Sequence, residues 1–247
     1  MQATHGSISS APSQIDHDQQ LNDAMVRNYF PGALRNDDTI KAVVSIAEGL
    51  GISKANSLFA YSVCQEEINQ GVGSLANVLQ TNFCYSVSLA GLAGIPFSGK
   101  TGFSTFASQV PEDGVIFILF APHCAVSTKT VGSSHHDQDD YICGYYHHCN
   151  EKKLSPACGA ALEAYKAAKE MKEQPLFDLF SRDVEMDYIK RLCYDNKERI
   201  AAANNQPAEI TNVMYEHIHD YIMRIVDNQN LVQHRKIVIM GGIQINV

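Results

Sequence analysis

An α/β fold, with a mostly parallel central sheet and helices on both faces, is predicted by three features of this 247-residue chain. The strand candidates Leu58–Val63, Val115–Ala121 and Lys236–Met240 are short and almost wholly apolar, as strands are when both of their faces are covered. Helical patterns separate them, which is the arrangement parallel strands need for their crossovers. The length suits one core that buries about 70% or more of the unfolded surface, so no disulfide or metal staple is required for folding.

Each element has its own signal. Residues 1–14 are polar and rich in Ser, Ala and Gln, and the arm they begin is expected to be disordered to about residue 20. A single domain over residues 21–247 follows. Leu21–Phe30 is amphipathic and stopped by Pro31-Gly32. Asn36 or Asp37 is the expected cap of a helix to about Leu50, ended by Gly49 and Gly51. Leu58–Val63 reads as a buried strand. From Glu66 to Gln80, Ile68, Val72, Leu75, Val78 and Leu79 share one helical face. Residues 86–107 are dense in Gly, Ser and Ala, and read as two helical stretches broken near Pro96. Gly114 opens the strand Val115–Ala121. A polar insert rich in His, Asp and Tyr occupies about 127–157. Helices are expected from Cys158 to about Glu173, from Pro175 to about Asn196, and over Ala208–Asn228. Lys236–Met240 reads as a central strand, and Ile243–Val247 as a segment for pairing at a dimer interface.

Composition narrows the function. Apolar residues make up 45% of the chain and charged residues 19%, against a usual charged share of about 25%. A disordered chain and a coiled coil are excluded. No apolar run reaches the ~18 residues of a membrane span. The net charge of −8 leaves no global basic footprint, so neither nucleic acid nor a membrane is an expected partner. The seven cysteines are an odd number. Residues 1–20 carry no apolar core and no Arg, unlike a secretory or transit peptide. A reducing, cytoplasmic setting is expected, or an organellar one if a transit peptide has been removed, and in the cytosol cysteines serve as ligands, nucleophiles or core residues.

Three groups of residues could carry chemistry. Gly94-Ile-Pro-Phe-Ser-Gly99-Lys100-Thr101 matches a phosphate loop, but that reading needs a strand before it and a magnesium-holding Asp on a neighbouring strand. Residues 86–93 are small and Gly-rich instead, and Val115–Ala121 runs into Pro122-His123. The bland reading is a Gly-rich turn that lets backbone approach a pocket. The tract His135-His136-Asp137-Gln138-Asp139-Asp140, with Cys143 and His147-His148-Cys149, has metal-binding residue types and is otherwise a solvated insertion. The third group is Cys64, His123 and Cys158. Cys64 ends one predicted strand, His123 follows another, and Cys158 opens a helix. Ligand sites collect at the carboxyl ends of parallel strands. A helix N-terminus favours a thiolate. Two thiolates and an imidazole make a zinc site with one position open for water. A strand-end Cys is otherwise a small core residue, as expected for Cys84, Cys124 and Cys193. His217 and His219 are expected at a surface or interface, and Phe103 and Phe106 as pocket lining or packing.

The segments Tyr29–Ala33 (YFPGA), Ser62–Ile68 (SVCQEEI), Ser88–Gly91 (SLAG), Ser98–Phe103 (SGKTGF), Ala121–His123 (APH), Ser155–Ala160 (SPACGA) and Gly241–Asn246 (GGIQIN) together resemble the limiting-CO2-inducible B (LCIB) family, described also as theta-type carbonic anhydrases with a β-carbonic-anhydrase-like fold. The resemblance runs from about residue 25 to the C-terminus. It implies Zn2+ held by Cys64, His123 and Cys158, a homodimer, and reversible hydration of CO2 to bicarbonate. It also absorbs Lys100-Thr101 into the family's own Gly-rich segment. Two departures stand out. The family's Asp, which accepts a hydrogen bond from the zinc-bound water, falls here on Glu66, the expected catalytic residue, and neither Ile68 nor Gln70 supplies the partner Arg. The interval from His123 to Cys158 is lengthened by the His/Asp-rich insert. A non-catalytic zinc-binding subunit is the competing expectation.

Overall fold

The computed structural model describes residues 14–83, 86–126, 184–227 and 236–246. Within them, strands β1 (Ser57–Val63), β2 (Ser86–Ser88), β3 (Val115–Ala121) and β5 (Lys236–Gly241) form a sheet in the order β2-β1-β3-β5, and every pairing is parallel. Two short strands, β4 (His123–Ala125) and β6 (Gln244–Asn246), form a second parallel pair. They carry the β3–β5 pair past its carboxyl end: Gly242 donates its N–H to Phe120 O and Gln244 to Pro122 O.

Both sheet faces are covered. Successive strand side chains point to opposite faces, and β1 and β3 are apolar in both registers. On one face Leu58, Ala60, Ile116, Ile118 and Phe120 pack with α5 (Lys100–Ser108), α6 (Val184–Asp195), α7 (Lys197–Ala202) and α8 (Gln206–Asp227). Helix α8 turns Ile210, Val213, Met214, Ile218, Ile222 and Ile225 inward, the stripe its period predicts. On the other face Phe59, Val63, Val115, Phe117 and Leu119 pack with α2 (Asn36–Gly49) and α4 (Leu75–Asn82). Phe59, Phe83 and Phe117 meet there, with ring centroids 5.0–5.9 Å apart. Helix α1 (Gln14–Tyr29) lays Met25, Val26 and Tyr29 against β4 and β6.

Several local expectations change. Helix α1 starts at Gln14, inside the arm expected to run to residue 20; Gln and Leu favour a helix, and the amphipathic pattern becomes legible only from Leu21. The N-cap of α2 is Arg35, without a side-chain cap bond. Asn36 instead donates to Gly73 O at 2.9 Å. The helix expected over Glu66–Gln80 is two helices, α3 (Glu67–Gln70) and α4, because Gly73 turns the chain at φ +87° and Ser74 caps α4 through Asn77 N–H. Residues 86–88 pair with β1 as an edge strand rather than forming a helix. Within the chain, the C-terminal segment pairs with β4 as β6. The insert at 127–157, the helix expected over 158–173 and Cys84 lie outside the described residues.

Candidate metal centre

The carboxyl ends of β1 and β3 lie side by side, with Val63 opposite Ala121. Each strand's continuation then sets one side chain at the same corner. Cys64 follows β1 and is fully buried. His123 opens β4 and is also buried. Glu66 reaches the same corner with its side chain 24% exposed. One donor atom from each, the Cys64 Sγ, a Glu66 carboxylate oxygen and a His123 ring nitrogen, lie within 4.8 Å of one another. Glu66 Oε2 stands 3.2 Å from His123 Nε2.

The loop after β2 builds the floor. Leu89 continues the β1 ladder by donating to Tyr61 O. The chain then folds back on itself: Gly91 N–H donates to Ile95 O, and the amides of Phe97 and Ser98 donate to Leu89 O. A 3-10 turn at Leu92–Gly94 brings backbone to the site. Ala93 N–H donates to Cys64 Sγ at 3.2 Å. Ala93 holds φ +55° to do so, a conformation that costs a non-glycine residue about 1–3 kcal/mol and collects at functional sites. Gly94 has φ +76°, and a Cβ there would meet Ser62 O and Ala121 O at 3.3 Å. Ser62 Oγ donates to Gly94 O at 2.8 Å, buried. The apparent phosphate loop is therefore this turn. Two of its amides serve the fold, and a 3-10 turn rather than a strand leads into it, so the nucleotide reading falls away.

Behind the imidazole sits a group of carboxamides that sequence reading missed. Asn246, on β6, has its side-chain amide 3.1 Å from His123 Nδ1. Gln244 Nε2 donates to Asn69 Oδ1 at 2.7 Å and to Asn246 Oδ1 at 3.2 Å, and Asn246 Nδ2 donates to Asn69 Oδ1 at 3.2 Å. Asn69 is fully buried. The available signal was the alternation of Gln244 and Asn246 with Ile243 and Ile245, which puts two polar side chains on one face of a strand. Gln70 donates to Cys64 O at 2.8 Å, so its side chain is turned to the backbone after β1.

The donor set suits a borderline-soft cation. A buried thiolate and an imidazole are ligand types of zinc, and His123 Nε2 is buried without a hydrogen-bond partner among the described residues. Cys158, the third expected donor, lies outside the described residues, as do His135, His136, Cys143, His147, His148 and Cys149. Phe103 is core packing, 1% exposed, with Phe106 against the same cluster. Cys124 and Cys193 are buried, as expected. His219 is exposed, whereas His217 is half-buried and meets the Tyr188 hydroxyl through Nε2 at 2.5 Å.

A family model described as limiting CO2-inducible proteins B/C beta carbonic anhydrases matches residues 33–247. No curated protein matches the chain. Among solved structures, the chain is similar to PtLCIB4, a homolog of the limiting CO2-inducible protein LCIB, with 24% identity and a TM-score of 0.71 over 90% of this chain and 87% of that one. A histidine-to-alanine mutant of the same homolog gives 23% identity and a TM-score of 0.72 over 92% and 87%. LCIB itself gives 20% identity and a TM-score of 0.61 over 90% and 87%. These likenesses establish a shared fold.

Proposed function

The chain belongs to the family of limiting CO2-inducible proteins B/C beta carbonic anhydrases, and from that premise we propose that it catalyses reversible hydration of CO2 to bicarbonate at a zinc ion held by Cys64, His123 and Cys158. One observation carries the reading: a buried thiol, a buried imidazole and a carboxylate converge at the carboxyl ends of two adjacent parallel strands. Zinc, when bound, supplies the Lewis acidity that makes water a nucleophile near neutral pH.

The chain's own residues have distinct tasks. Cys64, with the Ala93 N–H directed at its sulfur, and His123 are ligands on rigid strand ends. Glu66 accepts the hydrogen of the attacking water and so fixes which lone pair faces CO2. Its partly exposed carboxylate can pass the proton to solvent. Apolar side chains around the corner, Leu89, Ala93 and Ile95, keep the surroundings dry.

A second reading is favoured by the 3.2 Å between Glu66 Oε2 and His123 Nε2. At that separation both atoms can touch one cation, and Glu66 would then close the position that water needs. Gln70, turned to Cys64 O, does not hold the carboxylate back. The chain would then be a zinc-binding, non-catalytic homologue. Stopped-flow CO2 hydration on zinc-replete protein separates the two. Wild type should exceed His123→Ala, which should run at the buffer rate. Glu66→Asp combined with Gln70→Arg should raise the wild-type rate about 10- to 100-fold, the usual size of an effect from groups that orient a metal site. Buffer-rate values for both wild type and the double variant would leave the non-catalytic reading.

A further inference from the structure

Ligation of a metal by His123 does not in itself explain the carboxamides behind the ring, and what they do rests on that ligand reading. Asn69, Gln244 and Asn246 are buried or half-buried, and Asn69 Nδ2 and Gln244 Oε1 have no hydrogen-bond partner among the described residues. A buried amide group left unpaired costs about 1–3 kcal/mol. Apolar side chains would fill the same space more cheaply. A carboxamide does one thing they do not: its oxygen and nitrogen ends have nearly the same shape, so a half-turn exchanges acceptor for donor.

In the arrangement observed, Asn246 Nδ2 lies 3.1 Å from His123 Nδ1. The amide donates, and the ring hydrogen is then on Nε2, beside Glu66 Oε2 at 3.2 Å. Turning over all three carboxamides leaves every heavy-atom position filled and every contact still donor to acceptor. Asn69 Nδ2 then donates to Gln244 Oε1 and Asn246 Oδ1. Asn246 Nδ2 donates to Gln244 Oε1, and His123 Nδ1–H donates to Asn246 Oδ1. The ring hydrogen now sits on Nδ1, and the Nε2 lone pair faces Cys64 and Glu66. This is the tautomer a metal requires, and a ligating histidine ordinarily gives its other N–H to such an acceptor.

We propose that Asn246, supported by Asn69 and Gln244, is a positioning residue that selects the tautomer of His123 and reverses its hydrogen bond when a metal is taken up. The test compares the full-length wild type with Asn246→Leu and Asn246→Asp. Zinc affinity is read by competition with a chromophoric chelator, and the imidazole tautomer by nitrogen-15 spectra. Leu offers no acceptor, and zinc binding should weaken about 10- to 100-fold. An ionised Asp only accepts, so Asn246→Asp should bind zinc at least as tightly as wild type and show Nδ1–H even without metal. A structural role alone would make Asp no better than Leu, and that result overturns the proposal, as does an Asn246→Leu affinity equal to wild type. If Asn246→Leu does not fold, Asn246→Asp decides alone: weaker zinc than wild type overturns the proposal. A wild type that takes up no zinc overturns the ligand reading itself, which is a different outcome from zinc binding indifferent to residue 246.

Discussion

Ala93 and Gly94 show how single residues build the corner where Cys64 sits. One bends its backbone to φ +55° and gives its N–H to sulfur. The other leaves out a side chain so that its backbone can approach Ser62 and Ala121. Gly94→Ala would add a Cβ 3.3 Å from two carbonyl oxygens at φ +76°. The expected loss is about 1–3 kcal/mol, or a fall in Tm of about 2–12 °C for a chain of this size. Gly99→Ala serves as the control, since a Cβ there meets nothing within 4 Å and its φ is −77°; its Tm should stay near wild type. Equal melting of the two variants would contradict this account of the turn. Cys64 and His123 stood out in the sequence as candidates because each follows a mainly apolar strand, and strand ends in parallel sheets gather ligands. Asn246 was not, because its partner His123 lies more than a hundred residues away and neither carries a spacing that links them.

At the scale of elements, legibility followed burial. Strands β1 and β3 were plain because both of their faces are apolar, and α8 because its stripe spans 22 residues. The breaks were harder. Two glycines at 71 and 73 interrupt an apolar pattern that, by period alone, continues through Val72; φ +87° at Gly73 wins over the period. Strand β2 has three residues, exposed or half-buried, too few for an alternation to be read. The pair β4–β6 owes its existence to β3 and β5 rather than to its own composition. Once those strands are paired, Gly242 N–H to Phe120 O and Gln244 N–H to Pro122 O carry the register past the break. That continuation brings His123 and Asn246 together, so the site depends on the sheet's register.

Among the described residues, two groups tie the stability of the fold to acid in a defined direction. Burial pushes the His217 pKa below its ordinary value of 6.5, with nearby Arg224 acting the same way and Asp220 opposing. Its neutral form is favoured by the fold, so the unfolded chain takes up the proton first as pH falls. Stability is full above the ordinary histidine value and is lost below it. Hydrogen bonds from Arg199 hold Glu216 below the ordinary carboxylate value. That contribution is present above the carboxylate range and lost on acidification, and exposure keeps it small. Both act in one direction, so Tm should fall as pH drops from 7 toward 4, with the histidine step first. His217→Gln, which keeps a partner for Tyr188, should flatten the upper step in a pH series of melting curves. A wild-type Tm that rises on acidification would contradict this.

The function rests on the claim that donors from separate parts of the chain hold one cation. No helix among the described residues is long and apolar enough to cross a membrane. Metal analysis of the purified full chain tests the claim most directly. The account predicts about one zinc per chain in wild type, falling to near zero in both Cys64→Ala and His123→Ala, as loss of a ligand in a tetrahedral site requires. Wild type without stoichiometric zinc, or variants that retain it, would contradict the account.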